Sequence, residues 1–160
     1  MASVRCSRTI AAPADRLWDV VSDPHHLPRW WPRVERMEAV DDGAFTEVMK
    51  TRKGKTVRAD FELVHADRER MSVRWDQLVQ GTPFAAVLQS SETELTLTGR
   101  KGAEVSLDGG EWGAAATEVT IELRQTLNGQ RERGIGGYMV RRAARATLDE
   151  ALDGLERISG

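Results

Sequence analysis

From Arg33 to Leu127 the apolar residues of this chain recur at every second position, and that stretch constrains the fold more than any other feature. Phe45 and Met49 form one such set, Val57, Ala59, Phe61 and Leu63 a second, and Met71, Val73, Trp75 and Val79 a third. Asp41-Asp42-Gly43, Lys53-Gly54-Lys55 and Asp67-Arg68-Glu69-Arg70 separate them. Val87 to Leu97 and Val119, Ile121, Leu123 and Leu127 continue the pattern. A period of two is that of a pleated strand with one face buried. Turn signals this close leave room for hairpins and none for crossover helices, so the strands form a mainly antiparallel meander. Residues 99–116 read as a long hairpin turning at Asp108-Gly109-Gly110, with a loop carrying Trp112 as the alternative.

Helical spacing flanks this block on both sides. A first strand, Ser3 to Ile10, leads into Ala12-Pro13, where proline suits the first helical position. Ala14, Leu17, Trp18 and Val21 then fall at i, i+3, i+4 and i+7, opposite Asp15, Arg16 and Asp19. Asp23-Pro24 restarts the pattern, Leu27, Trp30 and Trp31 repeat it, and Pro32 ends it. At the other end Val140, Ala144, Leu148, Ala151, Leu155 and Ile158 make one stripe of a long helix from about Gly137 to Ile158. The order is strand, helix, helix, six strands, helix: an α+β chain of about seven strands and a single domain over residues 1–160.

Composition removes several classes of function. Apolar residues are 40% and charged residues 30%, and no apolar run approaches the ~20 residues of a membrane helix. The first residues lack the apolar stretch of a secretory signal, which points to the cytoplasm. The net charge of −2 gives no broad positive field for nucleic acid. One cysteine, Cys6, supplies neither an internal disulfide nor a structural zinc site. Nineteen of the 23 basic residues are arginine, but they are spread along the whole chain and read as a surface preference rather than an anion site.

The run Pro13-Ala14-Asp15-Arg16-Leu17-Trp18-Asp19-Val20-Val21-Ser22-Asp23-Pro24, with Leu27-Pro28-Arg29-Trp30-Trp31-Pro32 and the terminal Tyr138-Met139-Val140-Arg141-Arg142-Ala143, resembles the START-like helix-grip superfamily, SRPBCC. Within it the chain is most similar to bacterial polyketide cyclase/dehydrase and lipid transport proteins. The likeness runs over essentially the whole chain and speaks to the fold, since the superfamily includes aromatase/cyclases, lipid carriers, receptors and quinone-binding proteins. It implies a curved antiparallel sheet wrapped around the C-terminal helix, with a cavity between them and the two short helices seating the helix's far end.

The residues fit that implication. The lower half of the terminal helix is bulky (Leu148, Leu152, Leu155, Ile158), whereas Ala143, Ala144, Ala146 and Thr147 are small. Shaved side chains over an apolar sheet mean a closer approach or deliberate space. The expected lining is Phe61, Leu63, Val73, Trp75, Ile121 and Leu123 from the strands, with Met139, Ala143 and Thr147 from the helix. Gln77, Gln125 and the run Gln89, Ser91, Thr93 are in phase as polar contacts, and Phe84 is placed to cap a mouth framed by Arg52–Lys55, Gly81–Phe84 and Asn128–Gly137.

Catalytic and cofactor motifs are sparse in this chain. His25-His26 is supported by no HExxH motif, second histidine cluster or cysteine partner, and no nucleophile elbow is present. Gly134-x-Gly136-Gly137 lacks the lysine and hydroxyl of a phosphate loop, so no cofactor is expected. Glu92 and Glu94 share one strand face, most simply the outer one. Only Glu47 and His65 lie in phase with the apolar strand faces as possible acids or bases. The expected partner is a small hydrophobic ligand, either carried or converted by an aromatase/cyclase-type reaction. A protein-interaction module is the third reading, and the residues carry no signal for an oligomeric state.

Overall fold

A computed structural model describes residues 2–100, 115–129 and 135–159. The strands are β1 (Ala2–Ile10), β2 (Val34–Asp41), β3 (Ala44–Lys50), β4 (Thr56–Asp67), β5 (Ser72–Gln77), β6 (Leu88–Arg100) and β7 (Ala116–Leu127). The helices are α1 (Ala14–Val21), α2 (Leu27–Trp30) and α3 (Ile135–Ser159). All seven strands form one curved sheet in the order β1-β7-β6-β5-β4-β3-β2, every neighbouring pair antiparallel. The meander therefore runs as the alternation requires, and β1 closes the sheet beside the last strand. The turn expected at Asp108-Gly109-Gly110, and Trp112 with it, lies outside the described residues.

The segment between β1 and β2 folds back on itself under local control. Pro13 takes the N-cap of α1, one place earlier than its spacing suggests, and Leu17, Trp18 and Val21 turn inward. The Ser22 hydroxyl donates to the Trp18 carbonyl at 2.6 Å and ends the helix. Asp23 then accepts from the His25 amide at 3.0 Å and starts a single 3-10 turn, Pro24–His26, that feeds α2. Thr117, wholly buried, donates its hydroxyl to the Ala12 carbonyl at 2.7 Å and ties this segment to β7.

The core lies between the concave face of the sheet and the C-terminal half of α3, where Leu148, Ala151, Leu152 and Leu155 are almost fully buried. Gly154 sits where this helix crosses α2: a Cβ there would come within 2.2 Å of the Trp30 carbonyl oxygen, so only glycine permits the approach. Cys6 belongs to this core. Burial first, and the Asp149 carboxylate next, push its thiol up, so it packs as a neutral side chain. Asp153 of α3 pairs with Arg8 of β1, and Arg157 reaches the Arg29 carbonyl.

On the convex face Glu92 and Glu94 point outward, as the simpler reading has it. Arg74 holds Asp76 at 3.0 and 3.1 Å and Glu92 at 3.3 Å, while Arg124 holds Glu92 at 3.2 Å and Glu122 at 3.0 Å.

Candidate functional site

Under the N-terminal half of α3 a cavity of about 790 Å³ opens between helix and sheet. Its roof is Val140, Ala143, Ala144 and Thr147, at i, i+3, i+4 and i+7 on one helix face. Its floor follows from strand register. Phe61 pairs with Gln77 and Ser91 with Gln125; continuing the β5–β6 register sets Gln77 beside Ser91, which gives a polar row across three strands. The next rung carries Trp75, Thr93 and Leu123. Gln125 donates to the Ser91 hydroxyl at 3.3 Å, whereas the amide nitrogen of Gln77 is buried with no acceptor among the described residues.

Aromatic side chains build the walls. Phe45 and Phe61 stack at 5.3 Å and 7°. Trp31 meets Trp75 edge-on at 5.7 Å and Trp30 at 5.4 Å, linking the cavity wall to the α2 crossing. Trp31 is therefore a wall residue as well as part of the seat, because the chain turns extended at that position and swings its ring off the helical stripe. Phe84, carried on the 3-10 turn Pro83–Ala86, closes one side.

Of the residues expected to line the space, Phe61, Trp75, Gln77, Phe84, Ser91, Thr93, Leu123, Gln125, Ala143 and Thr147 lie in its wall. Five lie elsewhere. Leu63 and Val73 share a narrow crevice with Val21, Pro24 and Leu27, at the end of the sheet that the short helices cover. Ile121 is one rung beyond Leu123 and wholly buried in the core, as is Val119. Gln89 is exposed, because the β6–β7 register shifts between Leu88 and Ser90 and puts Leu88 on the inner face in its place. Met139 is 56% exposed, one residue and about 100° of helix away from the inward Val140. Met49, Val57, Ala59, Val87 and Leu127 complete the apolar wall; Val57 and Ala59 were legible as the start of the Phe61 set.

Glu47 is the chemical exception. It projects from β3 into the apolar wall, is 2% exposed, and has no hydrogen-bond or ion-pair partner among the described residues. Burial alone pushes its carboxyl up to about 8, so near neutral pH it is a carboxylic acid and not a carboxylate. The other charged side chains at the cavity are Lys55 and Arg58, both exposed at its rim, and Arg58 is held by Glu38 at 3.3 Å. His65, the other in-phase titratable residue, bonds to Ser72 at 3.0 Å and is not part of the wall. A second hollow, about 430 Å³, lies by Pro28–Val34 and the charged Glu150, Asp153 and Arg157, at the helix seat.

A family model described as polyketide cyclase / dehydrase and lipid transport matches residues 1–159. The chain belongs to that family. A search of curated proteins returns no match. Among solved structures, a START superfamily protein from Mycobacterium smegmatis is similar with a TM-score of 0.72 at 16% identity, covering 99% of this chain and 97% of that one. Ginseng major latex-like protein 151 from Panax ginseng is similar with a TM-score of 0.68 at 16% identity, over 99% of this chain and 97% of that one. The di-domain ARO/CYC BexL of the BE-7585A biosynthetic pathway gives a TM-score of 0.73 at 19% identity, over 98% of this chain and 46% of that one. These likenesses establish the helix-grip fold. Among the described residues no helix is long and apolar enough to cross a membrane.

Proposed function

We propose that this protein binds a small hydrophobic or amphipathic molecule, such as a lipid, an isoprenoid or an aromatic polyketide, between the sheet and α3. The observation that carries the proposal is the hollow itself: about 790 Å³ walled mainly by aliphatic and aromatic side chains. Small-molecule sites span roughly 300–1,000 Å³ and combine an apolar lining with a few placed polar groups. Burial supplies affinity at ~25 cal/mol per Å² of apolar surface, and the Gln77, Ser91 and Gln125 row sets orientation. Native mass spectrometry of protein taken gently from its producing cells tests this. A co-purifying organic mass that disappears in the Ala143→Trp variant supports the proposal; failure of any apolar molecule to bind either protein overturns it.

Glu47 favours a second reading, an aromatase/cyclase-type enzyme, because such chemistry asks for an inward acid or base in the wall. Conversion of a reactive ligand by the wild type, lost in Glu47→Gln while binding persists, distinguishes this from carriage.

A further inference from the structure

The cavity contains two polar groups that the protein itself leaves unanswered. One is the Glu47 carboxyl, 2% exposed and unpaired among the described residues. The other is the Gln77 amide nitrogen, buried without an acceptor. They stand two strands apart on the same concave face: Glu47 pairs with Ala59 of β4, and Gln77 pairs with Phe61, the next inward residue of that strand. Between them β4 presents Ala59, opposite Glu47, and Phe61, opposite Gln77. Two strand spacings across and two residues along put their backbones roughly 12 Å apart, which two long side chains and one ligand can bridge.

A buried polar atom without a partner is costly, and such atoms in a native fold call for an explanation. Here both residues line the hollow between the sheet and α3. An amide N–H is only a donor, and a neutral carboxylic acid offers an O–H donor as well. We propose that Glu47 and Gln77 act together as a donor pair that selects ligands whose buried portion carries an uncharged oxygen acceptor, namely a ketone, quinone or ester carbonyl. This rests on the binding reading above and assigns the chemistry of the ligand's polar part.

Charge decides against the competing ligands. The rim cations Lys55 and Arg58 are exposed, and neither contributes to the state of the Glu47 carboxyl, which burial alone determines. The other elements facing the cavity contribute Trp31 from the end of α2, Trp75 and Gln77 from β5, Ser91 and Thr93 from β6, Leu123 and Gln125 from β7, and Val140, Ala143, Ala144 and Thr147 from α3, none of them charged. The surroundings that keep Glu47 protonated penalise a second carboxylate just as strongly, so a carboxylic ligand enters only as its neutral acid. An ammonium ligand would pair with an ionised Glu47 but would leave Gln77 without its acceptor.

Four naphthalenes of similar size test the assignment by calorimetric titration: 2-acetylnaphthalene, 2-naphthoate, 2-naphthylmethylammonium and 2-ethylnaphthalene. At pH 7 the ketone is expected to bind about tenfold tighter than the hydrocarbon, with naphthoate and the ammonium weaker than either. Glu47→Leu removes most of the ketone's advantage over the hydrocarbon. Raising the pH through about 8 weakens ketone binding to the wild type, whereas Glu47→Gln, which retains a donor, binds the ketone without that pH dependence. Tightest binding of the carboxylate or the ammonium overturns the inference, and so does a ketone no tighter than the hydrocarbon. If none of the four probes binds, the cavity reading itself is refuted, and the two failures are thereby told apart.

Discussion

Replacing Glu47 by glutamine gives the most direct measure of how dry the cavity wall is. In the folded chain the carboxyl stays protonated up to about 8, whereas an ordinary glutamate ionises at 4.5. Between those limits the unfolded state binds fewer protons than the folded one, so stability falls as pH rises, by about 1.4 kcal/mol per pH unit. The favourable term is complete below the unfolded value of 4.5 and is lost as pH climbs through the folded value of about 8. By pH 7 the wild type has lost about 3 kcal/mol that Glu47→Gln, with nearly the same shape and no proton to lose, does not lose. Urea unfolding of both proteins from pH 5 to pH 8 reads the difference, and carboxylates common to both cancel out of it. A gap that widens by about 2–3 kcal/mol between pH 5 and pH 7 is expected. A gap that stays constant would refute the reasoning, since it would mean that Glu47 is ionised in the folded state and answered by solvent or a cation.

Other substitutions probe separate parts of the design. Gly154→Ala, which in an open helix would gain up to about 1 kcal/mol, should instead cost about 1–3 kcal/mol in thermal unfolding because the new methyl meets the Trp30 carbonyl. Ala143→Trp should occupy the space under α3, abolish binding of apolar probes by calorimetry, and change stability by less than about 1 kcal/mol, since nothing has to move aside. Thr117→Val should cost about 1–3 kcal/mol by leaving the buried Ala12 carbonyl without its donor, with probe affinity unchanged.

The strand order and both helix stripes were open to reading because each repeats a simple period. Leu17, Trp18 and Val21 mark the buried face of α1, and Leu148, Ala151 and Leu155 that of α3. A period of two tells which face of a strand is inward but not how far along it the roof begins. Leu63, Val73 and Ile121 therefore share a face with Phe61, Trp75 and Leu123 yet lie in crevice or core. Gln89 shows the opposite case: the irregularity after Leu88 breaks the alternation, and nothing in the residue types around it announces that break. Near the start of α3 the small difference between Met139 and Val140 is one of helical phase, which a stripe defined by Ala144 and Leu148 fixes only by extrapolation. Glu47 was visible as an acid within an apolar set, but its lack of a partner emerges only once β3, β4 and α3 are assembled around it.

The tight crossing at Gly154 pins one end of α3 to α2, while the other end spans open space on Val140, Ala143, Ala144 and Thr147. Stability and selectivity are thus written into different turns of a single helix. A lineage of such chains can exchange one guest for another by enlarging or trimming the upper turns, and the anchorage that lets the polypeptide fold does not have to be reinvented each time.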